Sequence, residues 1–167
     1  EVIRIMGLDN IKSIEPEKNR IKPTLNFYQK HFHLAQRSVA SKGYFETVTW
    51  SFTDEILNNN FKEEMDTIKI VNPISSDLNV LRNSLYPNLM YYMEKNSKRG
   101  FDDQSLFEIG PVFIGKKPGE QITVVCGLKR QSGNGKQHGQ IDVFEIKKDL
   151  VQTLMELGID KDEFKIE

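Results

Sequence analysis

Apolar side chains recur along this chain with two periods, and the switches between them mark its elements. Leu25, Tyr28, Phe32, Ala35 and Val39 return at spacings of three and four, the period of a helix with one apolar face. Thr24 is placed to cap this helix over 24–41 and Gly43 to end it. The period then shortens to two: in GYFETVTWSF, Tyr44, Val48, Trp50 and Phe52 fall on one side of a half-buried strand. TDEILNN predicts a short helix opened by Thr53, and TIKIV (67–71) a strand left by the loop NPISSD. Ser84 then reads as an N-cap, with Pro87 tolerated in the first turn and Leu85, Leu89, Tyr92 and Met93 as a stripe that ends before Gly100. QSLFEIG and PVFIG predict two short strands broken at Gly110-Pro111. EQITVVCGL is almost continuously apolar, which predicts a strand central in its sheet. After the flexible loop QSGNGKQHG, Val143, Ile146, Leu150 and Leu154 share one face of a last helix stopped by Gly158.

Long helices separated by runs of adjacent strands predict an α+β domain on an antiparallel sheet flanked by helices, since a parallel sheet would need regular βαβ alternation. KSIEPEKNRIKP (12–23) is polar with two prolines and reads as a linker between residues 1–11 and the domain 24–167. The chain opens in what reads as the last turns of a helix and closes in DEFKIE, a strand-like alternation without a partner. The expectation is a fragment, incomplete at its C-terminus.

Composition narrows the function more than the fold. With 23 Lys and Arg against 24 Asp and Glu, the net charge of −1 gives no general pull toward nucleic acid or anionic membrane. Cys126 is the only cysteine and lies inside ITVVCGL, so a disulfide framework is excluded and a buried thiol in a reducing compartment, the cytoplasm, is expected. The apolar runs fall far short of the ~20 residues a membrane span needs, and no signal-peptide pattern opens the chain.

Common site patterns fail on spacing. His31 and His33 are two apart, which sets them on opposite sides of a helix rather than on one metal. GNGK lacks the glycine a P-loop needs at Arg130 and the hydroxyl it needs at Gln137. Glu63-Glu64 and Asp102-Asp103 lie in polar turns. Lys129, Arg130, Lys136 and His138 form a cationic cluster that could meet phosphates, or could simply keep a hairpin loop soluble. Trp50 and the tyrosines of YYMEK could stack bases, but their periodic setting points to core packing.

What remains is a polar insert, NPISSDLNVLRNSLYPNLM (72–90), set between apolar segments. Taken with GYFETVTWSF before it and SLFEIGPVF and IDVFEIKKDLVQTLMELG after it, the chain resembles the bacterial type of phenylalanyl-tRNA synthetase beta subunit, over its class II synthetase-like domain. EVIRIMGLDNI is similar to the end of the small helical domain before it. The resemblance implies that 24–52 corresponds to the interface-forming first motif of class II synthetases. It also implies that 72–90 carries the chain across to the next helix. In that crossover Ser75, Ser76 and Asp77 can satisfy loop amides and Arg82 can pair with a carboxylate. Phe27 and Leu34, roughly 110° around the helix from its first stripe, form a second apolar line suited to a subunit interface.

The resemblance further implies a domain that keeps the fold and has lost the chemistry. Active class II domains grip ATP with an Arg two residues before a Glu, and SLFEIG has no Arg before Glu108. Aminoacylation would then occur in an alpha subunit, within an alpha2beta2 heterotetramer that also takes tRNA(Phe). Glu1 resembles the last carboxylate of a magnesium site of the whole subunit, and a lone carboxylate is expected to hold no magnesium here. Two other readings stay open: an active class II ligase or amino-acid-activating relative, which needs the missing Arg, and a stand-alone RNA-binding module, which needs a basic face.

Overall fold

In this computed structural model, residues 1–17, 24–61, 67–131 and 142–164 are described. The chain forms α1 (Val2–Met6), a 3-10 turn (Leu8–Asn10), α2 (Phe27–Ser41), β1 (Phe45–Glu46), β2 (Phe52–Thr53), α3 (Glu55–Asn59) and β3 (Val80–Leu81). There follow α4 (Tyr86–Ser97), β4 (Gln104–Phe113), β5 (Gln121–Arg130), α5 (Val143–Glu156) and a 3-10 turn (Lys161–Glu163). β4 is the middle strand of a sheet ordered β1-β4-β5, parallel to β1 and antiparallel to β5, and β2 pairs antiparallel with β3. The α+β reading therefore holds, with a mixed rather than purely antiparallel sheet.

Alternation along β4 builds two cores, one on each face. Leu106 and Val112 meet Leu85, Leu89 and Met93 of α4, together with Cys126 of β5. Phe107 and Ile109 point the other way, to Val39 of α2 and to Tyr44.

Several elements differ from their predicted form for local reasons. Thr24 does not cap α2; Asn26 does, because Gln29 three residues on completes a reciprocal box of two 2.9 Å bonds. Thr53 belongs to β2, and Asp54 caps α3 by accepting from the amides of Ile56 and Leu57. The strand predicted through 44–52 is two short pieces, with Val48 92% and Trp50 61% exposed. Past Glu46 the regular pairing with β4 ends: Thr47 still donates to the Phe107 carbonyl, but Thr49 meets the Glu108 side chain instead of the strand backbone. The predicted strand 67–71 is reduced to a bridge between Lys69 and Val80. Ser84 accepts from the Tyr86 amide at 3.2 Å, although α4 is entered through Leu85.

β4 runs unbroken through Gly110-Pro111. The Pro111 carbonyl faces Arg82 rather than β5, so its missing N–H lies on the side where β5 asks for none. A Cβ at Gly110 would stand 2.5 Å from the Arg82 guanidinium, which explains the glycine. β5 is an edge strand in this sheet, not a central one, and Ile122 and Val125 are exposed. On α5, Thr153 is the buried residue, while Val143, Ile146 and Leu150 of the predicted stripe are exposed. α5 is held instead by polar contacts: Lys129 bridges Glu145 and Asp149 at 2.8 and 2.7 Å and sits over the Tyr44 ring. The loop reading of 131–139 falls, except for Gln131, outside the described residues, as do 18–23 of the linker and the last three residues of DEFKIE.

Burial pushes the Cys126 thiol from 9.0 up to about 12. Burial also raises Tyr44 from 10.0 to about 12, with Lys129 opposing the shift and Asp149 adding to it. Both groups keep their protons in the folded chain at a pH where the unfolded chain has lost them. Their contribution is thus complete below pH 9 and declines as the pH rises toward 12. Denaturation series between pH 8 and 11 are expected to show falling stability, and Cys126 is expected to resist iodoacetamide at pH 8.5 until the chain is unfolded.

Candidate functional site

The polar insert of residues 72–90 ends in a buried ion pair. Within its loop, the Leu78 amide donates to the Ser75 carbonyl at 3.1 Å, and a hydrogen bond from Ser75 holds the Asp77 carboxyl below its usual range. Ser76 is exposed and makes no hydrogen bond to the described residues. Asn79 then receives the first amide of α3, Glu55, at 3.0 Å. β3 follows and delivers Arg82 beneath the sheet.

Arg82 and Glu108 lie 2.7 Å apart with side chains 2% and 3% exposed. The Arg82 Nε donates to the Pro111 carbonyl at 2.9 Å, and its Nη1 reaches Thr49 Oγ1 and the Trp50 carbonyl as well as Glu108. Glu108 in turn accepts from the Thr49 hydroxyl at 2.7 Å and from its amide. Thr49 Oγ1 donates once, to Glu108, and accepts twice, from Arg82 and Asn88, so its capacity is full. Beside this set, Asn83 exchanges two hydrogen bonds with the fully buried Asn58 and donates to the Phe113 carbonyl.

The predicted partner of Arg82 is thus Glu108, the residue considered as a marker of ATP chemistry. Leu106 stands where an ATP-gripping Arg would stand and packs against α4. The arrangement holds five segments together and presents no reacting group to solvent. Thr49, Asn58, Asn83 and Asn88 were missed as network members. A signal did exist, since single opposite charges inside two apolar runs, VLRN and LFEIG, must be paired if both runs are buried.

On α2, Phe27 is 66% exposed and Tyr28 81% exposed, whereas Leu34 is half-buried. The stripe does not dock along its whole length: Ala35, Ser38 and Val39 are buried, and Leu25, Tyr28 and Phe32 are not. The first half of α2 instead overhangs an open apolar groove of about 730 Å³, shared with Ile109, Val125 and Ile159. Phe27 packs its ring on His31 at 4.0 Å, and the His31 and His33 ring nitrogens go to the Phe27 carbonyl and to Gln36.

Of the cationic cluster, Lys129 is paired twice and Arg130 lies 3.8 Å from Asp102, while Lys136 and His138 fall outside the described residues. Glu1 precedes α1 without a side-chain cap bond. No group of three His, Cys, Asp or Glu side chains that could hold a metal ion is found among the described residues. Among the described residues, no helix is long and apolar enough to cross a membrane.

Removing one member of a buried pair leaves the other charged and unsolvated. Arg82→Met and Glu108→Leu are each expected to cost about 3–5 kcal/mol in urea denaturation. The double variant is expected to cost clearly less than the sum of the two.

The model of the family described as the phenylalanyl tRNA synthetase beta chain CLM domain matches residues 11–167. The chain is 36% identical to the phenylalanine–tRNA ligase beta subunit of Paramagnetospirillum magneticum, covering 99% of this chain and 21% of that protein. It is also 36% identical to the one from Bartonella henselae, covering 100% and 22%. The chain thus spans about a fifth of the length of the curated relatives it matches. In fold it is similar to a pyrrolysyl-tRNA synthetase of Desulfitobacterium hafniense, with a TM-score of 0.59 at 15% identity over 86% of this chain and 48% of that one. A family match over nearly the whole chain places it among the CLM domains of phenylalanyl-tRNA synthetase beta chains, the family to which this chain belongs.

Proposed function

We propose that this chain serves as a non-catalytic, class II-like domain of a phenylalanine–tRNA ligase beta subunit, acting through assembly with an alpha subunit and support of tRNA(Phe). The observation that carries this reading is the use of Glu108: its carboxylate is closed on Arg82 and Thr49, and Leu106 occupies the neighbouring position inside the core. A strand so committed to holding the fold has no group left to grip ATP, so activation of phenylalanine falls to the alpha subunit. The alpha2beta2 heterotetramer and a cytoplasmic location belong to the same proposal. Any magnesium site would belong to the whole subunit.

The exposed aromatic start of α2 is the surface we assign to the alpha subunit. Phe27 fits this role by its exposure, while the half-buried Leu34 belongs to the edge of the contact. Phe27→Glu is expected to leave the melting temperature of the chain within about 2 °C while weakening association with the alpha subunit about tenfold or more, read by calorimetry. The isolated chain is expected to give no phenylalanine-dependent exchange of pyrophosphate into ATP. Robust exchange by the chain alone, or unchanged association of the Phe27 variant, would contradict the proposal.

A further inference from the structure

A second feature lies on the outer side of the buried network. Trp50, Tyr91 and Tyr92 help to wall a pocket of about 200 Å³ whose polar lining is Thr53, Asp54, Asp77, Asn88 and Lys95, two carboxylates against one ammonium. The lining is rich in acceptors. Asn88 is only 7% exposed, and its Nδ2 donates to Thr49 Oγ1 and to the Trp50 carbonyl, at 3.1 and 2.7 Å. Its Oδ1 receives no donor from the described residues. Asp54 caps α3 through Oδ1 alone, and neither Asp54 nor Asp77 is ion-paired among the described residues. The rings already carry one cation at the rim, since Lys95 Nζ stands 5.7 and 5.9 Å from the Tyr91 and Tyr92 centroids.

With two carboxylates against the one Lys95 ammonium the lining is net negative, so the complementary occupant brings N–H donors, a positive charge and a flat face that stacks on an aromatic ring. The guanidinium group meets every condition: it is planar, permanently charged and has five donors and no acceptor. The net negative lining disfavours phosphate groups and the α-carboxylate of a free amino acid. An arginine carried in a polypeptide escapes that penalty. We propose that the Trp50–Tyr91 pocket receives the arginine side chain of a partner protein.

Trp50 is the only tryptophan of the chain, so one indole N–H signal reports on the pocket in a ¹H–¹⁵N spectrum. Titration with N-acetyl-arginine amide is expected to move this signal saturably. N-acetyl-lysine amide is expected to bind about threefold more weakly, and the uncharged N-acetyl-citrulline amide not at all. Asp77→Asn and Tyr91→Leu are each expected to weaken arginine binding about threefold or more, with the remaining spectrum unchanged. The proposal is overturned if the indole signal stays fixed with arginine, if citrulline binds as well as arginine, or if both variants bind as the unaltered chain does.

Discussion

The structure depends on keeping Arg82 and Glu108 together out of water. Taking two charges into the interior costs several kcal/mol per ion, and only close geometry with every remaining donor and acceptor engaged offsets it. Here Arg82 reaches a carboxylate, a hydroxyl and two carbonyls, and Glu108 reaches a guanidinium, a hydroxyl and an amide. No buried side-chain nitrogen or oxygen of the described residues is left unpaired. Each constraint elsewhere follows from that pair: Gly110 leaves room for the guanidinium, Pro111 turns its carbonyl toward it, and the chain bends out at Thr49 to supply the hydroxyl.

The same commitment shapes what the domain can do. A polar network at the middle strand could have faced a substrate; this one is closed over by β3 and α4 and has become a fastening between segments far apart in sequence. The roles proposed for the domain therefore rest on surfaces the fold leaves uncovered. Two differ in chemistry. The start of α2 is apolar and aromatic, suited to another helix, whereas the Trp50 pocket is acceptor-rich and suited to a cation.

Much of this was legible in the sequence where one signal acted alone. The helices of α2, α4 and α5 followed from their 3.6-residue period and their glycine stops, and Gly43, Gly100 and Gly158 all take positive φ. Arg82 was legible as half of a pair. Errors arose where tertiary bonds outweighed local pattern. Period-two alternation put Trp50 in a core, but from Thr49 the segment bonds to the Glu108 side chain rather than to the β4 backbone, and the ring is left outside. Gly110-Pro111 looked like a break because the pattern cannot tell which edge of a strand a proline faces. The run ITVVCGL looked central because apolarity reports surface that can be covered, not surface that a single domain covers itself. Asn58 and Asn83 gave no signal at all, since a pair of asparagines 25 residues apart becomes visible only when β3 and α3 meet.

The most direct test of the account is the exchange rate of the Arg82 Nε–H, read from ¹⁵N spectra at neutral pH. Held on the Pro111 carbonyl beneath the sheet, this proton is expected to exchange at least ~100-fold more slowly than that of the exposed Arg99, with protection lost in Glu108→Gln. An Arg82 Nε–H that exchanges as fast as that of Arg99 would contradict a buried pair at the centre of the fold.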